Sequence, residues 1–400
     1  MQFPIYMDHH ATTPVDPRVL EAMLPCFGGC FGNPASQSHS FGWAADRLVE
    51  KGRAQIASLI GSDPKEVLFT AGASEANNLA IKGAAELYRE KGNHIITQAT
   101  EHKSVLQPCR YLEQKGFEVT YLPVDENGLV RPEDLRKAIN ERTILITIML
   151  ANNEIGTIQP IAQLAGLAKE RGVIVHVDAA QALGKVPIAV TEQGIDLLSA
   201  SAHKMYGPKG IGALYVRKHV PRIRLAPQIH GGGQEEGLRS GTVNVPGVVG
   251  FGAACEIAGR EMDVENERIR RLRDRLLHGF QARLADVHLN GHPEQRLCHN
   301  LNLSFLYADG ESLLSKVGSK IAVSTGSACI SSLQESSYVL KSLGLSPERI
   351  QSSVRFGLGR FTTEEEVDCA LEKFVDAVKK IRAVSPVYQM IKQGSKGAGK

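Results

Sequence analysis

The sequence predicts an α/β protein, with a large domain on a mainly parallel sheet and a smaller α+β domain beside it. Three observations carry this. Apolar, β-branched runs at 94–97, 117–122, 143–149, 173–177, 196–199 and 212–216 alternate with helical stretches such as 104–114, 132–138 and 161–171. That alternation is the pattern of a parallel sheet covered by helices on both faces. Several runs end in polar groups, at Thr100-Glu-His102, Asn152-Asn-Glu154, Asp178 and His203-Lys204, where ligands bind in such sheets. A chain of 400 residues is also long enough for one large domain, a smaller companion and a substantial buried core.

Taken in order, residues 1–41 are rich in Gly, Pro, Ser and His and read as an irregular arm with one short helix at 17–25. Apolar residues fall at helical spacing over 42–59, and Gly61-Ser-Asp-Pro64 closes that helix. The stretch Glu66-Val-Leu-Phe-Thr-Ala-Gly-Ala-Ser-Glu-Ala-Asn-Asn78 reads as strand, small-residue turn and helix start. Such a turn offers backbone N–H groups at the positive end of a helix dipole, suited to a phosphate. Beyond the alternating region come a small-residue helix at 247–258 and an amphipathic helix at 264–284. Strands around 300–305 and 320–324, a helix near 337–343 and a final helix at 364–382 complete the second domain. The expected division is 16–260 for the large domain, with 1–15 and 261–400 forming the small one.

Hydrophobic content of 42% and charged content of 22% are ordinary for a soluble protein. A net charge of +3 is too small to point to nucleic acid. No apolar run reaches the length of a membrane span, and the first eight residues lack the charged start and long apolar centre of a signal peptide. A cytoplasmic location is expected. Seven scattered cysteines argue for reduced thiols, not a disulfide framework. Cys26 and Cys30, with His39 nearby, match no standard zinc spacing.

The chemistry concentrates in Ser199-Ala-Ser-Ala-His-Lys-Met-Tyr-Gly-Pro-Lys-Gly-Ile-Gly212. Lys204 follows a buried strand, where burial or nearby cations favour the neutral amine that a Schiff base requires. Upstream, Asp178 ends the strand Val173-Ile-Val-His-Val-Asp178, and Gln181 follows within a turn. A lysine for an aldehyde and an aspartate for a pyridinium nitrogen are what pyridoxal 5'-phosphate requires of a protein. Each alone is ordinarily a surface lysine or a capping aspartate; both on consecutive strand ends, with Ser201 and His203 beside the lysine, point to a cofactor site.

The motifs extend nearly end to end: Asp8-His-His-Ala-Thr-Thr-Pro14, Phe31-Gly-Asn-Pro34, Thr100-Glu-His102, Ala151-Asn-Asn-Glu-Ile-Gly156, His176-Val-Asp-Ala-Ala-Gln181, His203-Lys-Met-Tyr-Gly-Pro-Lys-Gly210, Gly231-Gly-Gly-Gln234, Arg239-Ser-Gly-Thr242, Ser327-Ala-Cys329 and Val354-Arg-Phe356. In these the chain resembles the pyridoxal-phosphate cysteine desulfurases of the class V aminotransferase family, of the housekeeping, iron–sulfur-cluster type. The resemblance implies a type I aminotransferase fold and a homodimer. It implies conversion of L-cysteine to L-alanine with a persulfide on Cys329, whose sulfur passes to an iron–sulfur scaffold or another acceptor.

By the same resemblance, Lys204 binds the cofactor aldehyde and moves the α-proton, Asp178 pairs with the ring nitrogen, and Gln181 bonds the phenolic oxygen. His102 stacks on the ring and assists proton transfer. Ala73, Ser74, Ser201 and His203 hold the phosphate, with Thr242 reaching it from the other subunit. Asn153 and Arg355 bind substrate, Arg355 by a bidentate grip on the carboxylate. No intrinsic metal is implied beyond transient ligation of a scaffold's cluster by Cys329. The apolar residues within 385–392 are expected to dock the scaffold.

Ser74 stands where the family often has threonine, Ser40 where it often has arginine, and Ser336 where proline is usual; His9-His10 replaces a variable pair. A selenocysteine lyase, using the same groups on a selenol, is the nearest alternative. A transaminase leaves Cys329 without a task, a non-enzymatic scaffold leaves Lys204 and Asp178 unexplained, and a nicotinamide dehydrogenase lacks its fingerprint.

Overall fold

The computed structural model describes residues 3–325, 336–386 and 388–390. Strand β1 (Ile5–Tyr6) precedes helices α1 (Pro17–Met23) and α2 (Ser40–Ile60). Then follow β2 (Val67–Thr70), α3 (Ala73–Tyr88), β3 (His94–Gln98), α4 (Lys103–Glu113), β4 (Glu118–Leu122), α5 (Pro132–Ala138), β5 (Thr143–Met149), α6 (Ile161–Lys169), β6 (Ile174–Asp178), β7 (Leu197–Ser201) and β8 (Gly212–Val216). The remainder comprises α7 (Val245–Arg283), β9 (Val287–Leu289), β10 (Asn300–Phe305), α8 (Gly310–Val317), β11 (Ile321–Ala322), α9 (Tyr338–Ser342), α10 (Pro347–Gln351), β12 (Ser353–Gly357) and α11 (Glu364–Val384).

The central sheet has the order β2-β8-β7-β6-β5-β3-β4. Its strands β4, β3, β5, β6 and β7 pair in parallel, and β8 runs antiparallel to both β7 and β2. Side chains alternate across it as a pleat requires. Phe69, Ile96, Ile146, Val175 and Val177 enter one core with α2, α6 and α7, whereas Leu68, Ile95, Leu145, Ile174 and Leu197 enter another with α3 and α4. Both faces are therefore buried, as a parallel sheet demands.

A third core lies around the antiparallel sheet β12-β10-β9. It contains Phe280, Phe305, Phe356 and Phe374, and the N-terminal Ile5 and Met7 join it. The arm expected to be irregular thus contributes β1, which pairs in parallel with β11.

One expectation is corrected. The helices foreseen at 247–258 and 264–284 are a single helix, α7. The intervening Gly259-Arg-Glu-Met-Asp263 holds no proline, and one glycine costs only about 1 kcal/mol. What changes there is the buried face. Val248, Phe251 and Ala254 pack into the large core, Ile269, Leu276 and Phe280 into the small one. The first half meets α2 closely, since a Cβ on Gly252 would lie 2.7 Å from the Gly52 Cα.

Candidate active site

The parallel strands place their carboxyl ends on one side of the sheet. Asp178 pairs with Met149 of β5 and Ser199 of β7, and Lys204 follows β7 directly. Gly212 allows the turn before α3 to come close, because a Cβ there would lie 2.6 Å from the Gly72 Cα. These ends surround a cavity of about 740 Å³ lined by Ala73, Ser74, His102, Asn153, Asp178, Gln181, Ser201, His203, Lys204 and Arg355. Ten of the twelve predicted site residues are thus brought together. Thr242 is exposed on the loop leading into α7 and does not line this cavity. Cys329 lies outside the described residues.

The Lys204 amine donates to the carbonyls of His10 (2.6 Å) and Ala11 (2.7 Å). Its own carbonyl accepts from Lys185 Nζ at 2.7 Å. Burial lowers the Lys185 amine to about 8, despite the partly offsetting charges around it. Asp178 is buried, receiving Asn77 Nδ2 on Oδ2 (2.7 Å) and the Ala180 N–H on Oδ1 (2.9 Å). Two donors hold this carboxylate while one edge faces the cavity.

Gln181 is oriented by His10. Its Nε2 donates to the His10 carbonyl (3.0 Å), and its Oε1 lies 3.1 Å from His10 Nδ1. Asn300 Nδ2 meets His10 Nε2 at 3.0 Å, so the ring proton sits on Nδ1. Burial, with Arg355 and lysines nearby, holds His10 well below the usual range and therefore neutral. His299 stacks on it at 4.3 Å. Burial, aided by Lys204, Lys209 and Lys185, also pushes His203 down to about 4.

Arg355, on β12, donates to Asp8 Oδ1 (2.9 Å) and the Asn153 carbonyl (2.8 Å). Its Nε and the Asn153 Oδ1 are buried without a partner among the described residues, a donor and an acceptor at the cavity wall. Pyridoxal phosphate fits this donor set. Asp178 suits the ring nitrogen, Lys204 the aldehyde, and the α3 N-terminus with Lys209 and Ser201 an anionic phosphate.

A buried carboxylate, an amine after a strand end and a helix N-terminus around one cavity define a pyridoxal-phosphate enzyme. The chain belongs to the aminotransferase class-V family, whose model matches residues 5–369. It is 52% identical over 394 residues to a protein named cysteine desulfurase IscS from Rickettsia typhi (strain ATCC VR-144 / Wilmington), spanning 98% of this chain and 96% of the relative. Among solved structures, a NifS-like protein is 40% identical with a TM-score of 0.88, covering 94% of this chain and all of its own. One titled SspA in complex with cysteine is 38% identical with a TM-score of 0.78, covering 90% of this chain and 100% of the other.

Sequence reasoning missed Asn77, Ser104, Lys185 and the pairing of His10 with His299 as parts of the site. Asn77 had one signal. It is a polar residue at a fully buried helix position, next to Ala76 and Ala80 on the inward face of α3.

Proposed function

We propose that this chain is a pyridoxal 5'-phosphate-dependent cysteine desulfurase that converts L-cysteine to L-alanine and holds the sulfur as a persulfide on Cys329. The observation that carries the reading is the convergence of Asp178, Lys204 and Arg355 on one cavity. Bound there, the cofactor supplies an aldehyde for amines and a pyridinium ring that takes up the electrons left when the substrate α-proton departs.

The protein's own groups do the rest. Asp178 keeps the ring nitrogen protonated, and Gln181 Nε2 has one N–H beyond its bond to His10 for the phenolic oxygen. Ala73, Ser74, Ser201 and His203 hold the phosphate, with Thr242 of a second copy. Arg355 Nε and Asn153 Oδ1 orient the amino acid, and Lys204 Nζ takes the α-proton and returns it. The Cys329 thiolate attacks the substrate sulfur. A sulfur–sulfur bond forms, the Cβ–S bond breaks, and its electron pair stays on carbon to be protonated as the methyl group of alanine.

The same reading makes the protein a cytoplasmic homodimer that feeds an iron–sulfur scaffold. All six cysteines among the described residues are free thiols, which supports a reducing compartment. No helix among the described residues is long and apolar enough to cross a membrane. The division into 16–260 and 1–15 with 261–400 is supported by the separate aromatic core around Phe280. Anaerobic incubation with cysteine and a thiol reductant should yield alanine and sulfide in equal amounts. A keto acid without sulfide would overturn the assignment.

A further inference from the structure

His102 is the N-cap of α4. Its Nδ1 accepts the backbone N–H of Ser104 at 3.1 Å, so the helix requires a lone pair on that nitrogen. The same Nδ1 lies 2.7 Å from Ser104 Oγ. That hydroxyl already accepts from Asn77 Nδ2 at 2.9 Å, which leaves its single proton to be donated to His102. Asn77 cannot reverse its amide without turning Oδ1 onto the carboxylate of Asp178, which Nδ2 now meets at 2.7 Å. The chain of bonds is directional: Asp178 fixes Asn77, Asn77 fixes Ser104, and Ser104 with the α4 backbone occupies Nδ1.

We infer that Asn77 and Ser104 are positioning residues that lock His102 in the neutral tautomer with its proton on Nε2. His102 then meets the bound substrate as a hydrogen-bond donor and not as a base. Protonating Nδ1 would forfeit two hydrogen bonds and put a positive charge at the N-terminus of a helix, where the dipole opposes it. A neutral imidazole held at a helix N-terminus as an electrophile has a known chemical precedent. The charged groups facing His102 are Asp178 from β6, Lys204 from the turn after β7 and its neighbour Lys103. Burial and the two lysines outweigh Asp178, and the imidazole sits below its usual value. The part His102 plays in turnover rests on the desulfurase reading; its tautomer does not.

The test uses holoenzyme labelled with 15N-histidine, as wild type, Ser104→Ala, Ser104→Thr and His102→Gln. Long-range proton–nitrogen correlation reports which ring nitrogen carries hydrogen, and the His102 signals are those lost in His102→Gln. At neutral pH the wild type should show a protonated Nε2 and a bare Nδ1. Ser104→Ala should raise the share of the other forms about fivefold, the loss of one hydrogen bond, and Ser104→Thr should restore the wild-type pattern. The acid limb of sulfide release should rise by the equivalent ~0.7 pH unit in Ser104→Ala alone. A protonated Nδ1 in the wild type, or spectra and pH profiles unmoved by Ser104→Ala in an active enzyme, overturns the lock. The expected spectra in a wild type that releases no sulfide would uphold the lock and sink the desulfurase reading.

Discussion

Replacing Lys185 by Met should change how stability depends on pH more than stability itself. Lys185 Nζ donates to the Lys204 carbonyl (2.7 Å) and lies 3.3 Å from His299 Nε2. Its folded-state amine is depressed from 10.5 to about 8 by burial. Between those values the unfolded chain binds the proton more readily, so the folded state gains stability as pH rises from 8 to 10.5. The full shift is worth about 3 kcal/mol, and some solvent contact along the side chain reduces this to about 2 kcal/mol.

At pH 7, Lys185→Met relieves that penalty but leaves two acceptors without a donor, at about 1–3 kcal/mol each, so the two proteins should lie close in stability. At pH 10 the wild type should be ahead by about 2 kcal/mol more than at pH 7. Urea midpoints of both holoenzymes across this range measure the difference, in which the other titrating groups cancel. Turnover should fall about tenfold or more as the backbone of Lys204 loses its anchor. Stability curves that stay parallel from pH 7 to 10 would refute the reasoning.

Lys204→Ala should abolish alanine formation and the visible absorption of the covalently held cofactor, while equilibrium dialysis still finds cofactor bound through Asp178 and the phosphate cradle. Cys329→Ser should retain the spectral change on adding cysteine yet lose alanine and persulfide, because a serine hydroxyl is a far weaker nucleophile at neutral pH; a persulfide mapped to Cys26 or Cys30 by mass spectrometry would contradict this. Truncation after Val384 should leave sulfide release with a small-molecule reductant nearly unchanged and weaken sulfur transfer to a scaffold. Its structural cost should be modest, since Tyr388 packs on Tyr307 and Arg382 whereas Met390 is 73% exposed.

What was legible in the sequence was what is local. Strands β3 to β8 stand within a residue or two of their apolar runs; all but the edge strand β4 are buried along their length, and such a strand writes its burial into consecutive residues. Lys204 and Asp178 stood out because each ends such a run. The two-residue β1 leaves no periodic trace although its partner β11 falls within the strand expected at 320–324, and β12 was seen only as the motif around Arg355. The continuity of α7 was hidden because its buried face changes midway, and periodicity reads a face, not a backbone. Asn77, Ser104 and His10 act through partners distant in the chain: Asn77 reaches Asp178 across 101 positions and His10 reaches Gln181 across 171. No spacing rule connects such residues before the fold does.

The single helix α7 has a mechanical meaning. Its 39 residues make a rod of about 58 Å, seated at one end in the core beneath Lys204 and at the other in the core that carries Arg355. Between Ala258 and Ile269 none of its residues is buried, yet polar side chains tie this span to both sides: Glu261 accepts from Arg18, Asn266 donates to the Lys185 carbonyl and Arg268 to the Thr362 carbonyl. A bend of about 5° there would displace an end by about 2 Å, several times the range of about 0.5 Å over which a hydrogen bond holds. The gap between Arg355 and Lys204 is thus gauged by the straightness of one helix.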